Sequence, residues 1–144
     1  MLKRILGWIW ASPVTAIGLL YVLVFWALRW YVWVGLHPDA LVWQLDSEKA
    51  PGWLKDAWST WGGHCIGNVV VLKDNPDFNP IVLRHEREHA LQCMRLGVLQ
   101  PIIYAIALLA AKTLDNVDPY RSNVFEIDAR IAAGQPVEPL SKKR

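Results

Sequence analysis

A chain of 144 residues has room for one small domain, or for one domain and an anchor. A formal charge of +2, with no basic stripe carrying interleaved aromatics, excludes a nucleic-acid interface. Hydrophobic residues reach 53% and are unevenly spread: seven of the nine tryptophans fall within the first 53 residues, as at a membrane–water interface.

The opening "LKRILGWIWA" reads as a short basic, tryptophan-rich segment lying along such an interface. From Val14 to Gly35 come 22 residues whose only charge is Arg29, long enough to cross a hydrocarbon core as a helix. Ser12 is placed to cap that helix and Pro13 to fill its first turn. Arg29, near the far end, can extend its charge to the headgroups. A cleaved signal peptide fits less well, because the run is too long and no small-x-small site follows it. A buried core helix is the other alternative. Residues 1–36 are therefore read as an interfacial segment and a transmembrane anchor in contact with the lipid bilayer. Lys3 and Arg4 precede the span while Asp39, Asp46 and Glu48 follow it. Counting positive charge places the amino terminus in the cytoplasm and the remainder outside, a single-pass arrangement.

Residues 37–63 read as a linker with a turn at "EKAPGW" and a short amphipathic helix around Trp53 to Trp61. In "HCIGNVVVLKDNPDFNP" the β-branched Val69, Val70 and Val71 predict a strand that ends in a loop. "PIVLRHEREHALQCMRLG" predicts a helix with Gly97 as its stop. "VLQPIIYAIALLAAK" is a second apolar segment, and "TLDNVDPY" is a turn-rich connector. A final helix, "YRSNVFEIDARIAAG", takes Ser122 or Asn123 as cap and stops at Gly134-Gln135-Pro136. Residues 135–144, closing in "SKKR", read as a disordered basic tail. The fold class is α+β, mainly helical. Cys65 and Cys93 do not make a disulfide framework, and Cys93 reads as a buried thiol packed under its helix.

The chemistry sits in "RHEREHALQ". On a helix His85 and His89 are four apart, so both imidazoles leave one face a turn apart, and two ring nitrogens can reach one ion. Glu86 is rotated beside the ligands, where it can take a proton from a water activated at the ion and deliver it to a leaving amine. The competing explanation is a charged helix face in which Arg84, Glu86, Arg87, Glu88 and Arg95 form exposed pairs. Against it, Leu83, Ala90, Leu91 and Met94 supply the apolar stripe of a buried helix. Two histidines leave a tetrahedral ion short of one protein ligand. Glu126 is the candidate, because Ala129 three residues on lets its helix approach closely. Asp115, Asp118 and Cys93 are weaker ligand candidates, and Asp128 and Arg130 read as solvent-facing or supporting groups.

These segments resemble the zincin metallopeptidases of the gluzincin type, and in particular small bacterial membrane-associated proteins with H-E-x-x-H-x-x-Q and a later N-x-F-E-x-x-A. Here those positions are His85, Glu86, His89, Gln92, Asn123, Phe125, Glu126 and Ala129, within a likeness spanning about residues 62–133. The resemblance implies Zn2+ held by His85, His89 and Glu126, Glu86 as catalytic base, and a minimal zincin-like domain over residues 64–134. It also implies a strand before the first helix whose edge binds an extended peptide or protein substrate. It places the chain in a bacterial inner membrane. The resemblance assigns no oxyanion stabiliser; His64, Tyr104 and Tyr120 are candidates.

The run Val98–Ala111 is 14 residues with Gln100 and Pro101, short for a span. A single crossing there would also part His89 from Glu126. The metal site therefore requires a core helix, an interfacial helix or a re-entrant hairpin. The expected function is a membrane-anchored zinc peptidase. The alternative is a membrane-bound interaction protein whose metal is structural, with Cys93 closing the fourth position, or absent. Oligomeric state is not legible.

Overall fold

The long apolar run at the start of the chain does not stay helical to its end. In the computed structural model, which describes residues 2–113 and 118–137, the first helix is α1 (Leu2–Ala27) and the next residues form a strand, β1 (Tyr31–Leu36). There follow β2 (Leu41–Leu45), α2 (Gly52–Ala57), β3 (Gly63–Ile66), β4 (Val69–Leu72) and α3 (Pro80–Leu96). A 3-10 turn at Gly97–Leu99 then leads to α4 (Gln100–Lys112) and α5 (Val124–Ala133). The chain is thus α+β. Asp115 and the closing "SKKR" lie outside the described residues.

Two sequence expectations about the N-terminus change. Pro13 lies inside α1, not in its first turn, and the helix begins eleven residues earlier. Pro13 has no N–H for the carbonyl of Ile9; the Ser12 hydroxyl donates to that oxygen instead, at 2.7 Å, so the helix passes through the proline. The helix then stops short of Gly35. Arg29 takes a left-handed φ of 63°, and the Trp30 N–H closes back on the Phe25 carbonyl at 2.9 Å. Beyond it, "YVWVGL" is aromatic and β-branched, suited to a strand as much as to a bilayer. It pairs antiparallel with β2, with Tyr31 opposite Leu45 and Trp33 opposite Trp43.

The segment expected to be a linker, 37–63, contains a central strand. The sheet order is β1-β2-β4-β3, with β2 and β4 parallel and both outer pairs antiparallel. The single strand expected around Val69 is one arm of a hairpin. Gly67 at φ 64° makes its turn, and the turn tip is pressed against Thr15 of α1. Asn68, fully buried, seals that contact: its N–H donates to Thr15 Oγ1 at 3.0 Å and its Nδ2 to the Asp39 carbonyl at 2.6 Å.

β4 explains the architecture. Val69 and Val71 pack with Val22, Tyr31, Trp43, Leu45 and Trp58 on the α1 side, while Val70 and Leu72 pack with Ala40, Val42 and Ala90 on the α3 side. A strand covered on both faces needs a continuous apolar run, hence "VVVL". Each such side chain contributes about 1.5–3 kcal/mol by burial. The first helix is therefore one layer of the domain. Gly7, Ala11, Thr15, Gly18 and Val22 form its buried stripe, so the domain lies beside α1 rather than beyond its end. The opposite face, including Ile9, Ile17, Leu20 and Val24, is exposed.

Other expectations match. α2 falls where a short helix was read, Gly97 ends α3, Asn123 caps α5, and Gly134 ends it in the left-handed region. Cys93 is buried in a cluster with Ala11 and Met94.

Candidate metal centre

α3 is started by Asn79, whose side chain accepts the Val82 N–H, and by Pro80 in the first turn. Arg87 ties the helix to the β1–β2 connection through three hydrogen bonds to the buried Asp39 carboxylate, the shortest 2.6 Å. So anchored, α3 presents His85 and His89 towards α5 and Glu86 towards β3. α5 packs along it, with Ala129 and Ala133 almost wholly buried. The small residue at 129 leaves room for the approach that brings Glu126 in.

His85, His89 and Glu126 meet. His85 Nε2 stands 3.3 Å from Glu126 Oε2, His89 Nε2 stands 3.3 Å from Glu126 Oε1, and the two Nε2 atoms are 3.2 Å apart. Ligand atoms 2.0–2.1 Å from a tetrahedral ion are separated from each other by about 3.3 Å. The three side chains form a group able to hold a metal ion.

The surrounding hydrogen bonds make the same demand. Gln92 Nε2 donates to the Phe125 carbonyl at 3.0 Å, which turns Gln92 Oε1 towards His89 Nδ1 at 2.8 Å. An amide oxygen only accepts, so Nδ1 carries the proton. Gln135 Oε1 does the same for His85 Nδ1 at 2.9 Å. Both Nε2 atoms then point lone pairs at each other and at a carboxylate. Glu126 Oε2 is buried and lacks a hydrogen-bond partner among the described residues. Such a cluster calls for a cation at its centre. Without one, burial pushes His89 down, but the hydrogen bond and charge of Glu126 outweigh it and raise its pKa. Burial pushes Glu126 up, yet the bonds that His85 and His89 give when protonated at Nε2, with that from Tyr104, hold its carboxyl well below the usual range.

Glu86 is beside this group. Its carboxyl is pushed up to about 7, chiefly by burial, with the two histidines opposing and Glu126 assisting. It lies against β3: a methyl on Gly63 would stand 2.8 Å from Glu86 Cγ, so only glycine lets the strand come this close. The residues border a cleft of about 860 Å³ that runs from Trp61 and Gly63 past the histidines to Tyr120, Arg121 and Arg130.

The remaining candidates divide. His64 borders the cleft but pairs with Val71 on the α1 side of the sheet, its ring tilted against Trp58 with centroids 4.8 Å apart, and burial lowers its pKa to about 4. That is the face away from Glu86. Tyr104 donates to Glu126 Oε1 at 2.8 Å and so supports the ligand. Tyr120 borders the cleft with its ring half exposed. Cys93 points at the Gly97 carbonyl, 3.8 Å away, and Asp128 is exposed; neither belongs to the three-ligand group. Gln135, assigned from sequence to a disordered tail, belongs to the site, as does the buried Arg130. Only the H-x-x-Q spacing hinted at a supporting amide, and it pointed to Gln92 alone.

No family model, no curated protein and no solved structure matches this chain.

Proposed function

We propose that the chain is a membrane-associated, zinc-dependent peptidase with a zincin-like site, in which His85, His89 and Glu126 hold Zn2+. One observation carries the reading: two imidazole lone pairs and a buried carboxylate converge at 3.2–3.3 Å, with both tautomers set by glutamine oxygens. Zinc, when bound, polarises a scissile carbonyl and lowers the pKa of a water. Glu86, near neutrality in its buried setting, takes that water's proton and returns it to the leaving amine. β3 is an outer strand of the sheet and borders the cleft, so an extended peptide has backbone donors and acceptors to pair with.

Two helical stretches, Leu2–Ala27 and Pro80–Lys112, are long and apolar enough to cross a membrane. The second holds α3 and α4, and His89 and Glu126 flank α4 yet meet, so α4 does not separate them across a bilayer. A sheet packed alongside α1 cannot itself enter hydrocarbon with an open edge. We therefore place the exposed faces of α1 and α4 in the bilayer surface of a bacterial cell, with the cleft beside it.

The test is zinc analysis of detergent-purified protein beside peptide hydrolysis, for the natural chain and Glu86→Gln. Both should carry about one zinc per chain, with hydrolysis only in the natural chain. Absence of retained zinc in both would end the enzyme reading. Zinc with undiminished hydrolysis in the variant would remove Glu86 from its role.

A further inference from the structure

Arg130 follows Glu126 by four residues on α5, so its side chain leaves the same face one turn further on. It is 8% exposed and borders the cleft, as does Arg121. Its contacts are sparse for a guanidinium with five N–H donors. Nη1 reaches the Arg121 carbonyl at 3.4 Å, and the guanidinium carbon lies 5.6 Å from the centre of the Tyr120 ring. Among the described residues no carboxylate lies within ion-pair distance of Arg121 or Arg130. Arg87 shows the contrast, with its three bonds to Asp39. Burying a cation without an anion is costly, and the side on which the described residues leave Arg130 without a carboxylate opens onto the cleft.

We infer that Arg130, with Arg121 beside it, is an anion subsite that takes a carboxylate of the peptide substrate. This deepens the peptidase reading and rests on it. One helical turn advances about 5.4 Å and one extended residue about 3.3–3.6 Å. A carboxylate at Arg130 therefore belongs to the first or second residue beyond the cut bond. It is supplied either by the chain's own C-terminus, giving release of one or two terminal residues, or by an acidic side chain. Among the described residues, the carboxylates bordering the cleft are Glu86 and Glu126, both beside the candidate metal centre, so none of them offers a substrate ammonium a comparable place.

The test is calorimetric binding of acetyl-Ala-Phe and of its C-terminal amide to the full chain in detergent, zinc-stripped and zinc-loaded. The free acid should bind about ten- to a hundred-fold more tightly than the amide in both metal states, as a charge-assisted bidentate pair does. Arg130→Gln should abolish that preference and Arg130→Lys should keep part of it. Arg121→Gln should weaken it several-fold, which keeps the test alive if the Arg130 variants do not fold. An amidated peptide with an internal Glu that binds as tightly as the free acid assigns the subsite to side chains; one that binds like the plain amide assigns it to the C-terminus. Equal affinity of acid and amide overturns the inference. So does a preference that needs zinc and survives both Gln substitutions, since the carboxylate then sits on the metal. A preference present in a chain that neither retains zinc nor hydrolyses peptides upholds the anion subsite while the peptidase reading falls.

Discussion

Replacing Glu126 with Gln tests the metal centre most directly. The substitution keeps the shape and leaves an amide oxygen to accept the Tyr104 hydroxyl, now 2.8 Å from Oε1. The new NH2, at the Oε2 position, can donate to the facing His85 Nε2, so the metal-free fold should survive. What is lost is the anionic ligand 3.3 Å from both histidines. Zinc bound through four positions is worth about 10–16 kcal/mol, or roughly 2.5–4 kcal/mol per ligand. Losing one should weaken binding by about two to three orders of magnitude. Competition against a fluorescent chelator reads that directly, and zinc-dependent melting gives a second measure. At a hundredfold excess over Kd, zinc adds about 2.7 kcal/mol of stability, or roughly 5–10 °C in a domain of this size. In Glu126→Gln that gain should nearly vanish while the metal-free Tm changes little. A variant whose zinc affinity stays within about threefold of the natural chain would refute Glu126 as ligand and the three-ligand site with it.

Four further outcomes follow from the geometry. Gln92→Leu should weaken zinc about 10- to 100-fold by freeing the His89 ring, and chelator competition measures this. Gly63→Val should spare zinc but reduce hydrolysis sharply, because the new side chain strikes Glu86, as a metal and activity assay of one sample would show. Glu86 makes metal-free stability depend on pH: a carboxyl raised to about 7 from 4.5 is stabilising below its unfolded pKa and loses that contribution as pH rises through about 7. Denaturant melts in chelator at pH 5 and pH 8 should show the natural chain losing up to about 3 kcal/mol more than Glu86→Gln. Finally, Leu20→Lys combined with Ile106→Lys puts charge on both exposed faces. It should shift the protein from membranes to the soluble fraction under high-salt or alkaline wash, with zinc content unchanged.

The local signals in the chain were read correctly where one short stretch carries the whole physical cause. The helix read from Pro80 stops at Gly97, Asn123 and Gly134 bound α5, and the four-residue step from His85 to His89 puts both rings on one face. Glu126 was legible for a similar reason, since the small residue at 129 marks the side of its helix that can approach another. Hydropathy alone misled at the N-terminus, because "WYVWVGL" is as apolar as a span and only its pairing with β2 makes it a strand.

What no local pattern contains is which distant groups meet. Thr15 and Asn68, 53 positions apart, lock α1 onto the hairpin, so the helix read as an anchor is also a layer of the domain. Gln135, 50 positions from His85, fixes that histidine's tautomer from a segment whose composition suggests disorder. Arg130 looks like a surface cation until α5 is packed on α3, when its burial beside the cleft, without a carboxylate among the described residues, becomes visible. Composition and spacing therefore suffice for candidate ligand types and helix ends, which depend on neighbours within a turn or two. Tautomer, charge balance and the placement of α1 depend on contacts that exist only once the chain has closed on itself.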